Sequence, residues 1–178
     1  MTEIALESGT CVGAVLFTDL VGFTEYNDAV GDPGAVRVLE DQTRMAESAT
    51  ETRPGARIVK ELGDGLMIWF SSAIDGLEGA IALLMSVGDA RSAGEFPLAM
   101  RMGLHHGGAT ARGRDFVGQT VNIAARVSAL AGPGELLISD DVVAACAGSF
   151  DRAVTPVGAV QVKGVQRPIW LHRYASSA

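Results

Sequence analysis

Two aspartates, each beside a glycine-containing turn, are the side chains of this sequence best suited to hold a divalent cation next to a phosphate. Asp19 stands in Phe17-Thr18-Asp19-Leu20-Val21-Gly22-Phe23-Thr24, where the apolar run Gly13 to Thr18 ends. A carboxylate at the C-terminal end of a buried strand lies at the sheet edge, where ligands bind in α/β-type folds. The helix start that follows can present backbone N–H groups to phosphate. Asp19 would then anchor a cation while the Gly22, Phe23 and Thr24 amides take phosphate oxygens. The plainer alternative is an aspartate that opens a turn and caps a helix.

The second carboxylate is Asp64, in Lys60-Glu61-Leu62-Gly63-Asp64-Gly65. Asp-Gly between apolar runs is also a hairpin signal that needs no ligand. A functional reading requires Asp64 to come close to Asp19. Mg²⁺ uses one or two carboxylates plus substrate phosphates, and two adjacent ions need bridging acids. A third segment runs from Asp115 through Phe116-Val117-Gly118-Gln119-Thr120-Val121-Asn122-Ile123-Ala124-Ala125 to Arg126. Asn122 and Arg126 are four apart and share a helix face. Asn has poor helix propensity, so something else should favour it there. The alternative is a solvated Arg with an Asn near the helix start.

Other features are less specific. His105-His106, with His172 the one remaining histidine, has no cysteine nearby and reads as structural, at a strand end. Lys163-Gly164 reads as a turn lysine that can also reach a phosphate as a point charge. No GxxxxGK[ST] is present, so there is no P-loop.

The elements that must position these residues follow from periodicity. Gly13 to Thr18 fits a buried strand. Helical pattern resumes after Gly22-Phe23-Thr24, and Asp32-Pro33 starts a further helix. On it Val36, Leu39, Gln42, Thr43 and Ala46 share one mostly apolar face, and Arg53-Pro54-Gly55 stops it. Arg57 to Lys60 and Leu66 to Phe70 form a hairpin. Ile74 to Val87 is a core-facing helix. Leu98 to His105 is a strand, and Gly107-Gly108 turns into a second short one. Thr120 to Leu130 is a helix closed by Gly132-Pro133-Gly134. Leu136 to Ile138 is a strand, with Ser139 capping a short helix. Val157 to Val162 and Ile169 to Tyr174 form a last hairpin. The order β-α-α-β-β-α-β-β-α-β-α-β-β implies an α+β sandwich.

The 178 residues suit one domain, 1–178, with no internal repeat or interdomain linker. Apolar residues at 48% and charged residues at 20% exclude intrinsic disorder. No long apolar run predicts a membrane span. Met1 to Ser8 has no basic region and does not read as a secretory signal. Cys11 and Cys146 have no metal or redox spacing, which fits a reducing cytoplasm. Fourteen Lys and Arg against 21 Asp and Glu give a net charge of −7, which disfavours nucleic acid as a partner. A small anion neutralised by metal ions remains compatible with it.

Together the segments resemble the class III nucleotide cyclases, the adenylyl and guanylyl cyclase catalytic domains. FTDLVGFT, VKELGDGLM, MRMGLHHG, DFVGQTVNIAARV and VKG stand in that family's order, over a core from about Val12 to Tyr174. The likeness is strongest to soluble actinobacterial adenylyl cyclases. It implies a ferredoxin-like βαββαβ core with added strands and helices, working as a head-to-tail homodimer. It further implies that Asp19, Leu20 and Asp64 belong to the metal site and that Asn122 and Arg126 serve the transition state. By the same resemblance Lys60 and Asp115 select adenine, and Arg101 and Lys163 contact the triphosphate. Phe23 and Thr24 join them as substrate-binding residues. One chain would give the metal aspartates and Arg101, and the other Lys60, Asp115, Asn122, Arg126 and Lys163.

The residues suit that chemistry. Lys60 can donate to adenine N1 and Asp115 can accept from N6, whereas guanine reverses both groups. The activity implied is a cytoplasmic adenylyl cyclase converting ATP to 3′,5′-cyclic AMP and pyrophosphate with two Mg²⁺ or Mn²⁺ ions. A guanylyl cyclase is the nearest rival. A catalytically silent nucleotide-binding regulatory subunit is a rival of another class, and a palm-type nucleotidyl transferase would want a basic groove.

Overall fold

Residues of β1 serve two layers by turns. Ala14, Leu16 and Leu20 join one apolar cluster, while Val15 joins another across the sheet, as the two-residue period of a strand requires. A computed structural model describes residues 9–147, 149 and 154–174. Residues 1–8, the stretch tested above for a secretory signal, lie outside the described residues.

The elements are β1 (Thr10–Val21), α1 (Phe23–Val30), α2 (Asp32–Glu51), β2 (Arg57–Leu62), β3 (Gly65–Phe70), α3 (Ala73–Ser92), β4 (Ala99–Arg112), β5 (Asp115–Val117), α4 (Gln119–Leu130), β6 (Leu136–Ser139), α5 (Asp140–Ala145), β7 (Val154–Val160) and β8 (Ile169–Tyr174). They form one sheet in the order β2-β3-β1-β4-β6-β8-β7, with β5 paired to β4. The neighbours β2-β3, β3-β1 and β1-β4 are antiparallel. With α1, α2 and α3 between them they make the expected βαββαβ core. The β4–β6 pairing is parallel and begins the additions.

One sheet face packs on α2 and α3 through Leu16, Ile68, Phe70, Met102 and Leu104, all fully buried, against Ala46, Leu77 and Leu83. The caps follow local chemistry. Pro33 lies in the first turn of α2, where a missing N–H costs nothing. Ser72 accepts the Asp75 N–H at 3.1 Å to start α3. The opposite face carries α4. Gly103 makes that possible: a Cβ there would lie 2.0 Å from the Ser128 nitrogen, so any other residue would push α4 off β4.

Several boundaries differ from the sequence reading. β1 does not end at Asp19, because β4 continues to pair with it through Leu20↔Met100 and Val21↔Ala99. Gly107-Gly108 is not a turn. β4 runs through it, paired as Gly13↔Gly107 and Val12↔Gly108. Gly107 serves close packing instead, since a Cβ there would meet Thr120 Oγ1 at 2.7 Å. The turn into β5 falls later, at Gly113. His105 therefore lies within a strand rather than at its end. Ser139 holds the cap position of α5 but makes no side-chain cap, because its hydroxyl meets His105 Nδ1 at 2.8 Å. The last hairpin's first strand is Val154–Val160 rather than Val157 to Val162, and its register slips between Pro156 and Gly158. Among the described residues, no helix is long and apolar enough to cross a membrane.

Candidate active site

Asp19 and Asp64 reach the same end of the sheet by different routes. Asp19 is carried on β1 directly opposite Arg101 of β4. The Arg101 Nε and Nη2 groups each lie 2.7 Å from Asp19 Oδ2. Asp64 is in the loop between β2 and β3, whose last pair is Leu62↔Gly65. The preceding Gly63 takes a left-handed φ of 68°, the conformation that lets so short a loop close the hairpin. Burial pushes the Asp64 carboxyl above its usual range, and the negative charge of Asp19 pushes it further. That repulsion shows that the two acids are near enough to feel one another, with the Arg101 charge opposing it in part.

A cleft of about 160 Å³ opens here, bounded by Phe17, Asp19, Leu62, Gly65 and Arg101, with Ala125, Ser128 and Ala129 of α4 as its small-residue wall. The donor set fits Mg²⁺ or Mn²⁺. These hard cations take oxygen ligands, and one or two carboxylates completed by nucleotide phosphates is the usual arrangement. Among the described residues no group of three or more metal-ligating side chains gathers anywhere, so phosphate oxygens would have to complete the coordination. Leu20 buries its side chain in the core at 2% exposure, so only its main-chain carbonyl is available as a ligand. Phe23 and Thr24 form the first turn of α1, which has no side-chain cap. Their N–H groups are thus without an intrahelical partner.

Lys60 and Asp115 form a second group. Lys60 Nζ lies 2.9 and 2.7 Å from the two Asp115 carboxylate oxygens. Burial alone would raise the Asp115 carboxyl. The Lys60 hydrogen bond, the Phe116 N–H and the charges of Lys60 and Arg112 together hold it below the usual range. The register of β2 slips between Ile58 and Lys60. That extra residue puts Arg57, opposite Trp69, and Lys60, opposite Met67, on the same sheet face. Strict alternation would have separated them. Phe116 stacks on Trp69 with ring centroids 4.0 Å apart, and the Arg57 guanidinium covers its other side at 4.8 Å. This stack fixes β5, and with it Asp115.

Asn122 and Arg126 form a third group. Both are exposed on α4, while Ile123, Ala124 and Val127 of that helix are buried. Lys163 is exposed in the turn between β7 and β8. The structure therefore brings Asp19, Asp64 and Arg101 together, and separately Lys60 with Asp115. It does not gather Asn122, Arg126 and Lys163 into the cleft of their own chain.

Three contributors escaped the sequence reading. The bulge before Lys60 left no local mark. The small wall residues of α4 looked like ordinary helix formers. Gln42 did carry a signal, a buried amide on the apolar face of α2 at 1% exposure.

Comparison with known proteins matches residues 5–173 to the adenylate and guanylate cyclase catalytic domain. A pH-sensitive adenylate cyclase of Mycobacterium tuberculosis is 33% identical over 129 residues, 72% of this chain and 31% of that protein. The chain spans about a third or less of the curated relatives it matches, from 27% to 32% of their length. The crystal structure of the adenylyl cyclase CyaB from P. aeruginosa superposes with a TM-score of 0.84 at 24% identity, covering 97% of this chain and 98% of that one. A guanylate cyclase domain from Catenaria anguillulae, in complex with GTP, superposes with a TM-score of 0.83 at 19% identity, covering 96% and 100%. The fold is therefore shared by cyclases named for either base, and the choice between them rests on side chains.

Proposed function

The chain belongs to the adenylate and guanylate cyclase catalytic domain family, and on that premise we propose that it converts ATP to 3′,5′-cyclic AMP and pyrophosphate. The reading makes it a single catalytic domain, acting in the cytoplasm as a head-to-tail homodimer with two shared sites. The observation that carries it is that Asp19 and Asp64, 45 positions apart in sequence, come near enough at one end of the sheet for the charge of Asp19 to raise the Asp64 carboxyl, beside a cleft lined by Asp19, Leu62 and Gly65.

Asp19 and Asp64, with the Leu20 carbonyl, would hold two divalent cations, Mg²⁺ or Mn²⁺. When bound, such ions supply Lewis-acid activation of the ribose 3′-hydroxyl and neutralise the triphosphate. Arg101 leaves Asp19 to bind phosphate oxygens, and the Phe23 and Thr24 N–H groups offer further anion contacts. Lys60 donates to adenine N1 and Asp115 accepts from N6. Guanine would leave both mispaired, and polar sites of this kind reject the wrong ligand by ~10⁴ or more. Asn122 orients the ribose while the 3′-oxygen attacks the α-phosphorus and pyrophosphate leaves. Arg126 stabilises the charge on the α-phosphoryl oxygens, and Lys163 reaches the triphosphate.

Two observations support a shared site. A cleft of about 160 Å³ is below the roughly 300–1,000 Å³ usual for small-molecule pockets, which favours a site completed by a second chain. Asn122, Arg126 and Lys163 are exposed, where a second copy can be reached. Nucleic acid is not a partner in this reading, given the net charge of −7. The test is conversion of ATP or GTP by the purified chain with Mn²⁺, analysed by mass spectrometry. Cyclic AMP from ATP is expected. Cyclic GMP as the main product would favour the guanylyl alternative, and no product from a folded dimer would favour a silent regulatory subunit.

A further inference from the structure

Asp64 stands on a loop that strand pairing does not hold against β1. The β1–β3 ladder runs from Ala14↔Phe70 to Phe17↔Met67 and pairs nothing beyond. Thr18, Asp19, Asp64, Gly65 and Leu66 all lie past its end. A polar node takes over there, inside an otherwise apolar layer. Gln42, 1% exposed on α2, donates through Nε2 to the Asp64 carbonyl at 3.2 Å and to Thr18 Oγ1 at 3.3 Å. Thr18, 3% exposed, also accepts the Leu66 N–H at 3.1 Å. Gly65 closes the contact, because a Cβ there would lie 2.5 Å from the Thr18 oxygen.

A buried amide is costly unless it is bonded, and an apolar residue of similar length would fill the same space. What the amide adds is a direct tie from α2 to the main chain of Asp64 and to the residue before Asp19. We infer that Gln42 is a positioning residue that holds the Asp64 loop at a fixed distance from Asp19, with Thr18 as its relay. The Leu62↔Gly65 pair closes its turn within the β2–β3 hairpin, but no ladder pair ties it to β1. Without the node its loop would sample positions in which the two carboxylates no longer address the same ions. The inference rests on the proposed metal role of the two acids. Residues that orient metal ligands affect metal affinity or activity by about 10–100-fold when lost.

The test compares the wild-type chain, residues 1–178, with Gln42→Met, Thr18→Val and Thr18→Ser. Mn²⁺ binding is followed by electron paramagnetic resonance in the presence of 3′-deoxy-ATP, which keeps the triphosphate and lacks the nucleophile. Turnover and melting temperature are measured alongside. Gln42→Met and Thr18→Val are expected to melt as folded proteins, to bind Mn²⁺ about tenfold or more weakly and to lose kcat, with KM for ATP changing less than about threefold. Thr18→Ser keeps the oxygen and should behave like wild type. Unchanged Mn²⁺ affinity in folded Gln42→Met overturns the inference. If Gln42→Met does not fold, the Thr18→Val and Thr18→Ser pair decides, and equal Mn²⁺ affinity in those two overturns it. A wild type that binds no Mn²⁺ with nucleotide defeats the metal reading itself, and this inference with it. A wild type that binds normally separates the two failures.

Discussion

Asp19 and Arg101 face each other across the β1–β4 ladder, and both Nε and Nη2 of the guanidinium lie 2.7 Å from the same carboxylate oxygen. The acid proposed to hold cations is therefore already balanced by one. In the proposed function this pair would part on loading, with the guanidinium passing to phosphate. Metal and nucleotide should consequently bind together better than either alone.

Arg101→Gln is expected to split these effects. Mn²⁺ binding without nucleotide should tighten, but by no more than about fivefold, since the pair is a third exposed and such pairs are worth ~0.2–1 kcal/mol. KM for ATP should rise about tenfold with the loss of a charged phosphate contact. Titration calorimetry with Mn²⁺ alone, beside steady-state kinetics, reads both. Weaker binding of free Mn²⁺ in the variant would contradict the account.

Lys60→Ala and Asp115→Ala should spare stability and damage selection. Their side chains are 37% and 39% exposed, so the ion pair adds at most ~1 kcal/mol to folding. The preference for ATP over GTP in kcat/KM should fall by about 10² or more, because hydrogen bonds that discriminate bases are lost. Urea unfolding and paired kinetics check the two halves.

Asp19→Ala and Arg126→Ala should each be nearly inactive alone and active when mixed. Random exchange of equal amounts puts half the chains in mixed dimers, each with one intact site of two, so about a quarter of wild-type activity should return. No recovery after equilibration would mean that each chain carries its own complete site.

Gly103→Ala should destabilise the fold by ~1–3 kcal/mol or more, because the new methyl meets main chain of α4. Activity should fall with it, since α4 carries Asn122 and Arg126. Thermal unfolding reports the first effect. A melting temperature equal to wild type would show that α4 can lift without cost.

His105 should make the fold acid-sensitive. It is 4% exposed. Burial first, and then the His106 and Arg167 charges, lower its pKa from 6.5 to about 4 against the opposing pull of Asp141. The native state therefore resists the proton that the unfolded chain accepts. The stability this gives is full above pH 6.5 and is lost as pH falls to about 4. At 1.36 kcal/mol per unit, roughly 3 kcal/mol is at stake. His105→Gln should lose less stability than wild type between pH 7 and 4. Parallel profiles from urea unfolding would contradict this.

The residues proposed for the site stood out in the sequence because each sits in a short motif, and the element order followed from periodicity. Their grouping was implied by the family likeness alone, and their contacts were not legible. The slip in β2 that turns Lys60 toward Asp115 leaves no pattern in one chain, and Arg101 became a partner of Asp19 only through strand register. Gly107-Gly108 read as a turn because paired glycines usually break strands, whereas here both stay in β4 and Gly107 lets Thr120 approach it. The exposure of Arg126 and Lys163 was compatible with their plainer readings as a solvated Arg and a turn lysine, and only the family likeness gave it a purpose. Burial at single positions on α4 follows from how Gly103 seats that helix.

The most direct measurement is product analysis of the wild-type chain with ATP and Mn²⁺, beside Asp64→Asn. The account predicts cyclic AMP and pyrophosphate in equal amounts from wild type, and a loss of about 10³-fold or more in the variant, which keeps the shape of the loop but removes a carboxylate that would hold the cations. Undiminished cyclic AMP from folded Asp64→Asn, or none from wild type, would contradict it.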